Sequence, residues 1–192
     1  SNSDFTVSIS GTAVTEYAAI SGKYYVEITG NAAMVGVAGV SFNVNSTVGM
    51  GGYSIAYNSA NGFIYSNGEI QQDTFDTNAS VVGIFLDVDN KLVMFSINNS
   101  QLSEPLPIQG EVFRIAITNG TATINTGASS FMYPVLDGYL PGFGLDTNPL
   151  NDNLSLSATR MVNFVNNKNV VFDYYGRLFG LTSSKSSVRS KF

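Results

Sequence analysis

The chain has 192 residues, of which 44% are hydrophobic and 12% aromatic, against only 12% charged. That is enough apolar material for one sizeable domain with an appendage, and nineteen glycines among many Asn, Ser and Thr residues fit an all-β chain better than a helical one. The net charge of −5 argues against general nucleic-acid binding, while the absence of cysteine and histidine removes disulfides, thiolate sites, the commonest general base and most zinc sites. No apolar run reaches membrane-spanning length and no signal-peptide pattern is visible, so no membrane insertion is expected.

Phe5 to Ser10 alternates Phe5, Val7 and Ile9 with Thr6, Ser8 and Ser10, which predicts a half-buried strand ending at Gly11. Ser21-Gly22 is a turn that launches Lys23 to Thr29. After Gly30-Asn31 a valine-rich strand is expected over Met34 to Val44, with Gly36 and Gly39 inside it for close packing or a bulge. Gly49 to Gly68 sets Tyr53, Tyr57, Phe63 and Tyr65 between Gly and Asn turns, and reads as two short strands joined by a tight Asn58–Gly62 turn. Core and edge packing accounts for these rings more readily than ligand contact, although Tyr on Asn- and Gly-rich loops also suits a recognition surface. Glu69 to Ser80 is expected to be a polar connection.

Val81 to Asp87 is apolar on both alternating faces, Asp89-Asn90 is turn chemistry, and Lys91 to Ile97 resumes a β-branched and aromatic run; this predicts a hairpin at the centre of a sheet. A strand apolar on both faces must be covered on both, which calls for a second layer. Gln101 to Gly110, with Pro105 and Pro107, is expected to be a loop or edge segment. Glu111 to Thr118 puts Phe113, Ile115 and Ile117 on one face and Arg114 and Thr118 on the other, and Asn119-Gly120 predicts a type I′ turn into Thr121 to Asn125. Short strands at this spacing, with no helical period before residue 150, describe a β-sandwich.

The chain changes character near residue 150. Residues 1–150 hold three basic residues against twelve acids, whereas residues 151–192 hold six against two. Asp146 to Asn153 reads as a linker, dividing the chain into a sandwich over 1–146 and a linker with a basic C-terminal arm over 147–192. Within the arm, Leu154 to Val165 suits a short amphipathic helix or a strand, and Val170 to Tyr175 a strand. A basic arm suits docking on an acidic neighbouring subunit, which makes Arg160, Lys168, Tyr174, Tyr175, Arg177 and Phe179 the candidates for assembly.

Gly22-Lys23-Tyr24-Tyr25-Val26-Glu27-Ile28 is followed by Val35-Gly36-Val37, Gly52-Tyr53, the run Val82 to Asp89, and Val93-Met94-Phe95-Ser96-Ile97-Asn98. In this order and spacing the chain resembles the SPRY domain. The end of the sandwich, with Ile124-Asn125-Thr126-Gly127, Phe131-Met132-Tyr133 and Gly138-Tyr139, looks like the closing segment of SPRY-like modules in bacteriophage tail and other virion proteins. Asn99 stands where the family usually has Gly, Thr126 where Phe is usual, and Tyr25 replaces a frequent Trp. The resemblance implies a bent antiparallel β-sandwich, of the concanavalin-like jelly-roll kind, with a C-terminal extension. It also implies a non-catalytic module whose loops at one end meet a protein or glycan. Carried over to this sequence, the loops are Asn43–Val48, Asn58–Asn67 and Asn98–Ser103. The ligand-binding candidates are Asn43, Asn45, Tyr57, Asn61, Phe63, Tyr65, Asn98, Asn99 and Gln101; no cofactor or metal is implied.

Concanavalin-like folds include glycoside hydrolases, and a retaining enzyme needs two carboxylates about 5–5.5 Å apart. Asp87 and Asp89 have same-face spacing, but they sit at a hairpin turn and no third acid joins them. Read as a calcium corner, Asp87-Val88-Asp89-Asn90 lacks the Gly and distal Glu of an EF-hand, and Asx-turn capping is the simpler reading. Gly49-Met50-Gly51-Gly52 lacks the Lys-Ser/Thr of a phosphate loop. The expectation is therefore a homo-oligomeric virion protein of a bacterial virus, presenting its sandwich to a host surface and carried on the extracellular particle. The alternatives are a cytoplasmic adaptor for a short peptide and, third, a glycan-degrading enzyme.

Overall fold

The computed structural model describes residues 4–142, except Tyr17, together with the strands at 170–172 and 178–181. The chain forms two compact units, Ser1–Leu145 and Asp146–Phe192. In the first unit the strands are β1 (Phe5–Val14), β2 (Lys23–Gly30), β3 (Met34–Gly39), β4 (Ser54–Asn58), β5 (Ile64–Ser66), β6 (Glu69–Gln72), β7 (Val81–Asp87), β8 (Leu92–Ile97), β9 (Gln101–Leu102), β10 (Leu106–Pro107), β11 (Phe113–Asn125) and β12 (Leu140–Pro141). In the second unit β13 (Val170–Phe172) and β14 (Leu178–Leu181) pair antiparallel. The stretch 154–165 lies outside the described residues.

The first unit is all-β among its described residues, and its organising element is the ribbon of β1 and β11. The first half of β11, Phe113 to Thr118, pairs with β3, and its last four residues, Ala122 to Asn125, pair with β2. β1 follows β11 through both halves. One layer therefore runs β10-β8-β7-β2-β11 and the other β11-β3-β4-β5-β6, both sharing the ribbon.

The crease lies at Asn119-Gly120, so the type I′ turn expected there is instead a bend within one continuous strand. Asn119 has φ 49°, Gly120 has φ 115°, and β1 answers with a bulge between Ile9 and Thr12 that contains Gly11 at φ 111°. The Gly11 N–H donates to Asn119 Oδ1 at 2.6 Å, tying the two strands together where their ladder is interrupted. The bend also shifts the side-chain phase of β11. Phe113, Ile115 and Ile117 face the core before it, and Ala122 and Ile124 after it.

Between the layers, Tyr24, Val26 and Ile28 of β2 and Val82, Ile84 and Leu86 of β7 meet Val35 and Val37 of β3 and Ile55 and Tyr57 of β4. Every residue of β7 is buried, as its two-sided apolar pattern predicts. Its outer face carries Phe85 beside Tyr25 of β2, and residues 126–142 cover that face. Phe131 packs edge-on against Tyr25 at 5.0 Å, Tyr139 against Phe85 at 5.1 Å, and β12 runs parallel to β2.

The other layer has its own cover. The strand expected over Met34 to Val44 ends at Gly39, and residues 40–53 fold back over the outer face. There Phe42 and Val48 bury Met34, Ala38, Ala56 and Ala116. The layers' far edges are clasped by two glutamines. Gln72 Oε1 accepts the Glu104 N–H at 3.2 Å, and Gln101 Oε1 accepts the Asp76 N–H at 2.7 Å. The supposed polar connection 69–80 thus contains an edge strand, β6, which supplies half of the clasp.

A Cβ at Gly120 would lie 2.6 Å from the Asn31 carbonyl oxygen and 2.9 Å from Ala32 Cα, whereas one at Gly11 would meet nothing within 4 Å. Gly120→Ala should therefore cost about 1–3 kcal/mol of stability in urea unfolding, and Gly11→Ala, which bears only the positive-φ strain, less. Equal losses would show that the crease does not depend on this close approach.

Candidate functional site

One end of the sandwich gathers the β2–β3 turn, the β4–β5 turn, the segment leading into β7 and the β8–β9 turn. A chain of hydrogen bonds runs across it. The Asn31 N–H donates to the Thr121 carbonyl, the Ser59 N–H to Ala33, the Asn78 N–H to Ser59, and the Ser80 and Val81 N–H groups to Asn98 Oδ1. The 44–47 stretch reaches the neighbouring crease from outside, where Thr12 Oγ1 donates to the Ser46 carbonyl and the Val48 N–H donates to Thr118 Oγ1.

The asparagines expected to contact a ligand are largely occupied in shaping these loops. Asn43 Oδ1 accepts the Asn45 N–H. Asn61 accepts the Phe63 N–H and donates to the Tyr65 hydroxyl, and Asn98, at φ 50°, caps the start of β7. Gln101 is half of the clasp. Asn45 and Asn99 are exposed, while Phe63 and Tyr65 are half-buried, with ring centroids 6.3 Å apart. Tyr57 is core, at 0% exposure, with its hydroxyl donating to the Asp76 carbonyl, so the cleft it borders at this end meets it only from behind its neighbours. Arg160, Lys168, Tyr174, Tyr175 and Arg177 lie outside the described residues, and Phe179 falls within β14.

A cleft of about 260 Å³ opens at this end between the layers. Ile28, Val35, Val82, Ala122 and the buried Tyr57 form its floor and walls, and Asn31, Ser59, Asn78 and Ser80 its rim. Among the described residues no charged one lines it. Reading the sequence included Ser59 only within the Asn58–Asn67 loop and missed Asn31, Asn78 and Ser80, because isolated polar residues in turns carry no motif, and only the β2–β3, β4–β5 and β6–β7 connections bring them together.

The other dense polar cluster lies on the covered face of β2 and β7, and its chemistry is structural. Glu27, 3% exposed, accepts the Tyr25 hydroxyl at 2.9 Å and the Tyr133 N–H at 2.8 Å on Oε1, and the Met132 N–H at 2.7 Å on Oε2. Burial, with this bond to Glu27, pushes the Tyr25 hydroxyl far above the usual phenol range. Asp87 pairs with Lys23 at 2.8 Å and accepts both the N–H and the side-chain amide of Asn90, while Asp89 accepts the Gly22 N–H. The two hairpin acids are thus committed to turn capping. Among the described residues no group of three or more Asp or Glu side chains is placed to hold a metal ion.

The SPRY domain model matches residues 22–122. The chain belongs to the SPRY family. The match opens at the turn before β2, closes within β11 and contains every residue lining the cleft. Among solved structures, the TRIM65 PSpry domain aligns at 14% identity over 59% of this chain and 69% of its own, with a TM-score of 0.48. The SPRY domain of human HERC1 aligns at 18% over 60% and 83%, with a TM-score of 0.47. No curated protein matches the sequence.

Burial of Asp87 works against its ionisation, but hydrogen bonds from Asn90 and Lys23 outweigh that, so its pKa is held below the ordinary 3.8. A carboxyl depressed on folding stabilises the fold above its unfolded pKa, and loses that contribution as the pH falls through the folded one. Unfolding midpoints should therefore drop below about pH 4, and Asp87→Asn should flatten part of that drop. An unchanged acid slope in the variant would remove Asp87 from the account.

Proposed function

We propose that the chain is a non-catalytic protein-recognition module that meets its partner with the loop end of the sandwich. Membership of the SPRY family supports this reading, because such domains are typically protein-interaction modules. The observation that carries it to this end of the molecule is the open, uncharged cleft among turns already braced by their own hydrogen bonds. A surface ordered before binding loses little conformational freedom when a partner docks. The committed hydrogen bonds of Asp87 and Asp89 favour binding over hydrolysis.

The test is selection of binders from a randomised peptide library on the full chain, followed by amide hydrogen exchange with and without the enriched peptide. Protection should concentrate in residues 30–33, 58–63, 76–80 and 98–101. Failure to enrich any peptide, or protection confined to residues 126–142, would sink the proposal.

The basic stretch after residue 150 is read as an attachment arm, on the strength of its opposite charge to the acidic sandwich. Such an arm suits an assembled particle, and the virion setting belongs to this proposal. Expected is an oligomer at low salt in sedimentation, with Arg160→Glu and Lys168→Glu together shifting it toward monomer. A full chain that sediments as a monomer at low salt would refute the arm.

A further inference from the structure

We propose that the cleft between the two layers is the anchor pocket of the recognition surface, taking one uncharged apolar side chain from a protein partner while its rim holds the adjoining backbone. This rests on the reading of the chain as a protein-recognition module and adds what that module selects.

Size limits the guest first. The cleft, about 260 Å³, falls below the roughly 300–1,000 Å³ of sites that enclose a drug-sized molecule, so it suits a single side chain with the rest of the ligand lying outside. Charge limits it next. None of the thirteen lining residues is ionisable apart from the phenol of Tyr57, whose hydroxyl is already bonded to the Asp76 carbonyl. An ionised guest would leave water with no opposite charge to meet it.

The floor then separates an apolar side chain from a sugar. The lining is aliphatic at Ile28, Val35, Val82 and Ala122, themselves only 1–4% exposed at the cleft's base, and the one aromatic ring among the lining residues, Tyr57, is at 0%, so no ring face is open for a pyranose to stack on. At the rim, the Asn78 amide and the Ser80 hydroxyl make no hydrogen bond among the described residues. Asn31 uses its side-chain oxygen on the Thr121 N–H, and its amide N–H groups make no hydrogen bond among the described residues. Such groups complement the N–H and C=O of a peptide passing over the opening.

Two substitutions and the peptide selection test this. Ala79, almost buried in the lining, becomes Leu to fill the cleft, and the exposed Ser80 becomes Arg to plug its rim without touching the core. The enriched peptides should share one aliphatic or aromatic residue between uncharged neighbours. Titrated against the full chain, they should bind about thirtyfold more weakly to both Ala79→Leu and Ser80→Arg, the loss typical of an interface hot spot. Exposed Met132, on the covering segment, serves as control, and Met132→Gln should leave the affinity unchanged. Enriched peptides that bind both variants as tightly as the parent, or that share a charged anchor, would overturn the pocket while leaving the recognition module standing. A selection that enriches nothing would overturn the module and the pocket with it.

Discussion

The β1–β11 ribbon is the constraint on which the rest of this fold depends. Because one strand pairs with β3 along its first half and with β2 along its second, the two layers cannot slide independently, and their separation is set where Asn119-Gly120 bends. The interruption in pairing is itself satisfied, by the Gly11 N–H on the Asn119 side chain and by Asn31 on the Thr121 N–H. A crease with unpaired amides would be costly; here the sequence supplies an acceptor for each. The same bend places the β2–β3 turn beside the cleft, so the geometry of the recognition end follows from the backbone of β11.

A strand buried on both faces creates a second requirement, which the protein meets twice. On one layer, Phe131 and Tyr139 cover Tyr25 and Phe85; on the other, Phe42 and Val48 cover Met34, Ala38, Ala56 and Ala116. The first cover is anchored by a buried carboxylate. Glu27 lies inside an apolar surface, yet three donors surround it and two of them are backbone amides of the covering segment. Removing a donor would leave one hydrogen bond of a buried carboxylate unmade, which gives the segment a defined seat.

Much of the fold was legible because period-two alternation and turn chemistry are local signals. The hairpin of β7 and β8, the faces of Phe113, Ile115 and Ile117, and the two-sided burial of Val81 to Asp87 follow from pattern alone. Asn119-Gly120 was misread for a physical reason: a positive-φ pair reverses a chain only if the strands on either side pair with each other. Here Phe113 to Thr118 pairs with β3 and β1 instead. The site was less legible still. Asparagine side chains that cap turns and asparagine side chains that meet ligands look alike in sequence, and Asn43, Asn61 and Asn98 all make turn-capping hydrogen bonds. The loop residues of the cleft come from three separate connections, a proximity that no spacing encodes.

The glutamine clasp has a consequence for how the molecule breathes. Along one side the layers are joined by a continuous strand, and along the other Gln72 and Gln101 each hold a single backbone amide across the gap. Opening must therefore begin at the clasped side, like a book turning on its spine, since two neutral hydrogen bonds resist far less than a paired ribbon. Gln101 holds Asp76, and the Asp76 carbonyl in turn holds the Tyr57 hydroxyl at the cleft wall. The wall of the cleft at the loop end is thus tied, through Asp76, to one uncharged glutamine amide of the clasp.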